Sequence, residues 1–145
     1  MKTVRQLLNV KGTEVYSVTP QTSVYDALKV MADKNVGALL VLDDSGLLGI
    51  FSERDYARKV ILKGKSSKEM VVSEIMTSKV DSVSPDDSVR ACMQLMTEKH
   101  IRHVPVLDGG RLVGLISIGD VVKAIISDQE FVIEQLEHYI AGGSY

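Results

Sequence analysis

The apolar positions of this chain change period several times, and each change marks an element. Val4, Leu7 and Leu8 have helical spacing, and Gly12 ends that lead-in. Val15–Val18 is a short extended run stopped by Thr19-Pro20, because a residue before proline is disfavoured in the helical region. Thr22 or Ser23 caps a helix whose Val24, Ala27, Leu28 and Met31 lie at i, i+3, i+4 and i+7, on one face. Asn35 or Gly37 ends it. Ala38–Leu42 is a continuous apolar run, as in a strand covered on both faces. Asp43-Asp44-Ser45-Gly46 makes a turn, and Leu47–Phe51 returns as a second strand. Ser52 opens a helix to about Leu62, a polar linker follows at Gly64–Lys68, and Val72–Met76 forms a second lead-in helix.

The same order then repeats. Strand Val80–Val83 leads to a helix bearing Val89, Cys92, Met93 and Met96. Strand Val104–Leu107, the turn Asp108-Gly109-Gly110, strand Leu112–Ile116 and a helix from Ser117 follow. Residues 15–60 align with 80–125 at an offset of 65 without a gap. Such a tandem repeat predicts two similar units about a pseudo-two-fold axis, with a crevice between them. The repeats are assigned to 4–68 and 69–127, and the remainder, 128–145, to a C-terminal helix or tail. In the last helix Val122, Ile126, Gln129, Ile133, Leu136 and Ile140 step alternately by four and three, a coiled-coil-like seam. That helix either packs on its own domain or joins two copies; a homodimer is the expectation, because so much apolar surface needs a partner.

Composition narrows the classes. The 145 residues suit one compact domain of two half-units, with a largely aliphatic core. A net charge of −2 argues against a general nucleic-acid binder. The single cysteine excludes an internal disulfide framework and suits a reducing compartment. No signal-peptide core and no membrane-length apolar run stand out, so a cytoplasmic protein without membrane association is expected.

Two constellations carry candidate chemistry. Ser52-Glu53-Arg54-Asp55 and Ser117-Ile118-Gly119-Asp120 each follow a strand and open a helix. Ser-x-x-Asp is a capping box, which by itself explains both occurrences. The same geometry offers free N–H groups and positive potential to an anion, and an Asp there can accept both hydroxyls of a ribose. Arg54 sits inside the first motif, where a phosphate would lie. The second constellation is Arg102-His103 just before a strand, suited to phosphate oxygens or simply solvated; repeat 1 has Gly37-Ala38 there. The repeats are therefore chemically unequal. His100 and His103 lack the further ligands a zinc site needs, so no metal is expected. Cys92 lies on an apolar helix face, and no nucleophile–base set has a recognisable local signature, so an enzyme is not expected.

These residues resemble a known family. Each repeat is similar to a CBS (cystathionine β-synthase) domain, and the pair resembles a Bateman module of the small stand-alone bacterial type. The resemblance rests on Ile75-Met76-Thr77, on Arg102-His103-Val104-Pro105-Val106, on Phe51-Ser52-Glu53-Arg54-Asp55-Tyr56, and on the two Gly-x-x-Ser-x-x-Asp segments. It implies an α/β (α+β) fold of two βαββα units packed by their sheets. It implies a crevice for adenosine-containing ligands such as AMP, ATP or NAD. Asp55 or Asp120 would hold the ribose, Ser52 or Ser117 would contact ribose or phosphate, and Gly37-Ala38 or Arg102-His103 would flank the adenine. Thr77 and Lys11 lie where lead-in segments touch the ligand. The implied function is non-catalytic sensing of an adenine nucleotide, acting on an unknown partner protein in trans; the alternative is an oligomerisation scaffold with vestigial sites.

Overall fold

The computed structural model describes residues 2–140. Helix α1 is Val4–Lys11, β1 Ser17–Val18, α2 Val24–Lys34, β2 Ala38–Asp43, β3 Gly46–Ser52 and α3 Glu53–Lys59; α4 is Val89–Lys99, β4 His103–Asp108, β5 Arg111–Ser117 and α5 Ile118–Ile140. Serine and threonine side chains set the helix starts. Thr3 caps α1 in a reciprocal box with Gln6, and the Ser23 and Ser88 hydroxyls accept from the Asp26 and Ala91 N–H groups. Helices α2 and α4 end in the left-handed region at Asn35 and His100, both with φ of 55°. These are repeat-equivalent positions, so the duplication extends to its backbone irregularities.

The first repeat is βαββα as expected. Strand β1 runs parallel to β2, and β2 pairs antiparallel with β3. Ala38, Leu39, Leu40 and Val41 are all buried, which explains the unbroken apolar run. The second repeat departs from the pattern. In place of a strand over Val80–Val83 there is a single bridge between Val83 and Val106. Proline explains the loss. In repeat 1 the Leu40 N–H donates to the Tyr16 carbonyl at 3.1 Å. Its counterpart is Pro105, which has no N–H to donate, so the ladder cannot extend toward Asp81. Two other elements are shorter than expected. Helix α3 stops at Lys59 and continues as a 3-10 turn, Ile61–Lys63, closed by Gly64. The second lead-in is a 3-10 turn, Val72–Glu74.

The chain forms two compact units that cut across the repeat boundaries read from the sequence. One joins the segment before Glu14 to 82–108 and the chain from Val113 onward; the other joins 14–81 to 109–112. In the first, Val4, Leu7 and Leu8 of α1 share a core with Cys92, Met96, Val104 and Ile116. In the second, Val72 and Ile75 share a core with Val24, Met31, Val41 and Phe51. Each lead-in thus packs on the repeat that does not adjoin it in the order of the sequence reading. A glycine admits each one. A Cβ on Gly49 would stand 2.6 Å from the Thr77 carbonyl oxygen, and one on Gly114 would stand 2.8 Å from a Leu8 methyl carbon.

Candidate functional site

Each unit builds one candidate site at the helix start that follows its hairpin. In the 14–81 unit, strand pairing sets Ala38 opposite Ser52. The Glu53 N–H donates to the Gly37 carbonyl at 3.1 Å, which holds Gly37-Ala38 beside the first turn of α3. The Ser52 N–H and hydroxyl donate to Asp55 Oδ2 at 3.0 and 3.1 Å, and the Asp55 N–H donates back to Ser52 Oγ at 3.2 Å. On the other oxygen, Asp55 Oδ1 accepts from the Thr77 hydroxyl at 3.3 Å and pairs with Lys59 Nζ at 3.1 Å. Asp55 is only 7% exposed, and both its oxygens are engaged. Arg54 stands exposed on the same turn.

Lys59 is the residue that sequence reasoning missed. It pairs with Asp55 one helical turn earlier and donates to the Ile75 carbonyl at 3.0 Å. The i, i+4 spacing of Asp55 and Lys59 was the available signal.

In the other unit the Ile118 N–H donates to the Arg102 carbonyl at 2.9 Å, the repeat counterpart of the Glu53–Gly37 bond. The Ser117 N–H donates to Asp120 Oδ2 at 2.8 Å, and the Asp120 N–H donates to Ser117 Oγ at 3.2 Å. The capping box is therefore real in both repeats. Lys11, from the C-terminal turn of α1, donates to Asp120 Oδ2 and to the Leu115 carbonyl.

The electrostatics of this cluster follow from that arrangement. Burial pushes the Asp120 carboxyl up, but the Lys11 ammonium and the Ser117 donors outweigh it and hold the group below the usual carboxylate range. Burial lowers the His103 imidazole, Lys11 and Arg102 lower it further, and Asp120 opposes them. His103 is thus largely neutral at pH 7. Lys11, Arg102, His103, Ser117 and Asp120 belong to one unit, and Gly37, Ala38, Ser52, Arg54, Asp55 and Thr77 to the other.

Two further groups have structural settings. Cys92 is buried, and burial raises its thiol to about 11, which disfavours the thiolate. Among the described residues no cluster of three or more His, Cys, Asp or Glu could hold a metal ion, and no helix is long and apolar enough to cross a membrane.

Comparison with known proteins agrees with this architecture. The family model described as CBS domain matches residues 5–62 and 72–127. The mitochondrial CBS-domain protein CBSX3 of Arabidopsis thaliana is 45% identical over 137 residues, which cover 91% of this chain and 66% of that protein. Among solved structures, a candidate signal-transduction protein with CBS domains from Burkholderia ambifaria is 56% identical with a TM-score of 0.84, covering 88% of this chain and 96% of that one. A hexameric CBS-CP12 protein from bloom-forming cyanobacteria is 29% identical with a TM-score of 0.75, covering 84% and 70%.

Proposed function

Since the chain belongs to the CBS domain family, we propose that it is a non-catalytic regulatory module that binds an adenine nucleotide and acts on a partner protein in trans. The observation that carries this reading is the cluster at the start of α5. Three separate segments bring Lys11, His103 with Arg102, and Asp120 to one helix N-terminus. The helix offers positive potential to a phosphate, and Lys11 and Arg102 add charge to it. The carboxylate at the same turn is an acceptor suited to ribose hydroxyls. A nucleotide would draw Lys11 from Asp120 toward its phosphate and leave both carboxylate oxygens to the ribose. Regulation then requires that the ligand bind two states of the protein unequally; binding alone shifts nothing.

The signalling description of the Burkholderia ambifaria neighbour and the hexameric assembly of the cyanobacterial one support a regulatory homo-oligomer. One observation favours a second reading for the other repeat. With both oxygens of Asp55 already satisfied, that site serves as a structural clamp, as in a scaffold with vestigial pockets.

Calorimetry and thermal shift of the full chain with AMP, ATP and NAD in turn test the proposal. A ligand at 100 times its dissociation constant stabilises by about 2.7 kcal/mol. Absence of any heat or shift with all three sinks the sensor reading and leaves the scaffold.

A further inference from the structure

Helix α5 is held by its unit over only part of its length. Val121 and Ala124 are buried, and Ile118 and Ile125 pack partly against the same core. Beyond them the apolar face is bare. Val122 and Ile126 are about half exposed, and Ile133, Leu136 and Ile140 are 54%, 56% and 82% exposed. A solvated helical segment of this length is marginal alone, so burial of this face must come from a second surface.

The seam identifies that surface. Val122, Gln129 and Leu136 occupy one core position of a heptad, and Ile126, Ile133 and Ile140 the other. Three residues at seven-residue intervals flank it on one side: Lys123, Glu130 and Glu137. On the other side the flank is apolar, with Ile125 and Val132. If two such helices run parallel, each acidic flank faces the other copy's apolar flank, no ion pair forms, and Gln129 meets Gln129. If they run antiparallel, like flanks face each other. Val122 then opposes Ile140, Ile126 opposes Leu136, and Gln129 opposes Ile133. Lys123 of each copy meets Glu137 of the other, and only Glu130 meets its own counterpart, at the dyad. The antiparallel register alone combines apolar layers with two complementary charge pairs.

We infer that residues 122–140 of α5 form an antiparallel two-helix seam with a second copy of this chain, with its dyad at about Phe131. The inference rests on the self-association part of the reading above and is independent of nucleotide binding. The seam is about 28 Å long, at 1.5 Å per residue.

Sedimentation equilibrium of the ligand-free full chain tests it. A dimer is expected, and Leu136→Glu converts it to monomer without lowering the melting temperature of the monomeric fold, since that side chain touches no core. Lys123→Glu and Glu137→Lys each raise the dimer dissociation constant about tenfold, because two attractive pairs become repulsive. The double variant, with the charges exchanged, returns to near the parental value. Glu130→Cys forms an intermolecular disulfide on oxidation, because the two copies of this position meet at the dyad. A monomeric parent overturns both self-association and the seam. Should the dimer survive Leu136→Glu, self-association stands and the seam falls. Dissociation by Leu136→Glu without rescue by the charge exchange overturns the antiparallel register.

Discussion

Asp55 and Asp120 occupy the same position of two repeats, follow the same serine and close the same capping box. Their second partners differ. Asp55 is clamped from within its own helix by Lys59 and from the lead-in by Thr77, and is nearly buried. Asp120 is gripped on one oxygen by Lys11, which arrives from a different helix, and its side chain is 22% exposed. A carboxylate satisfied by neighbours in its own frame stabilises that frame. One held by a lysine from another helix ties that helix to the cap as well. Duplication supplied two copies of one device, and the partners recruited around each carboxylate set the two apart.

Substitution of the two carboxylates sharpens this contrast most. Asp55→Ala should cost about 3 kcal/mol of stability, read by urea denaturation, because it removes the cap acid and leaves Thr77 and Lys59 without their acceptor. Nucleotide affinity in that variant should hold. Asp120→Ala should do the reverse: an affinity loss of about 10- to 100-fold by calorimetry, as expected for a lost hydrogen bond to a charged group, with a smaller stability cost. Equal stability losses with unchanged affinity in both variants would erase the distinction.

The glycine slots give the next largest effect. Gly49→Ala drives a methyl against the Thr77 carbonyl, which is backbone and itself bonded to the Ile50 N–H at 3.0 Å. Gly114→Ala meets the end of the Leu8 side chain, which can turn aside. Thermal unfolding should report about 2 kcal/mol for the first and under about 1 kcal/mol for the second.

Titration probes the Asp120 cluster alone. The imidazole of His103 is depressed below its ordinary 6.5, so its stabilising contribution is present above that value and is lost as pH falls through the lower folded-state value. Stability should therefore slope downward on acidification below about pH 6.5, and His103→Asn should flatten the slope. A bound phosphate favours the imidazolium, so affinity should rise a few-fold from pH 7.5 to 5.5 in the parent only, roughly tenfold for each unit by which the ligand raises the group. The smallest effect concerns Lys11→Met. Carbon-detected NMR should find the Asp120 carboxyl titrating at higher pH than in the parent, and a stability deficit that closes once pH falls below the parent's value.

Much of this was legible in the residues, and what was not has physical causes. Helix starts were readable because a serine hydroxyl before an apolar face has one main use. The end of α2 left two choices, and Asn35 takes the left-handed position that glycine could also have filled. The strand expected over Val80–Val83 failed because the residue that removes its partner, Pro105, lies some twenty positions downstream. The two Ser-x-x-Asp capping boxes were readable because the repeat prints that motif twice. Lys59 was hidden because a lysine on a helix is ordinarily solvated, and only the distance to Asp55 gives it a role. Hardest to read was the pairing of lead-ins with repeats. Val4, Leu7 and Leu8 announce a sticky face, yet nothing in a three-residue pattern says which core will take it.

That pairing has a consequence during synthesis. The unit built from 14–81 needs little from later in the chain, so it can close soon after Asp81 leaves the ribosome. Helix α1 precedes that unit but finds its core only when α4, β4 and β5 have emerged, more than a hundred residues later. At 5–20 residues per second its apolar face waits for several seconds. A segment made before its core is thus among the last to be buried, and its early docking on a foreign surface is the misfolding route this topology leaves open.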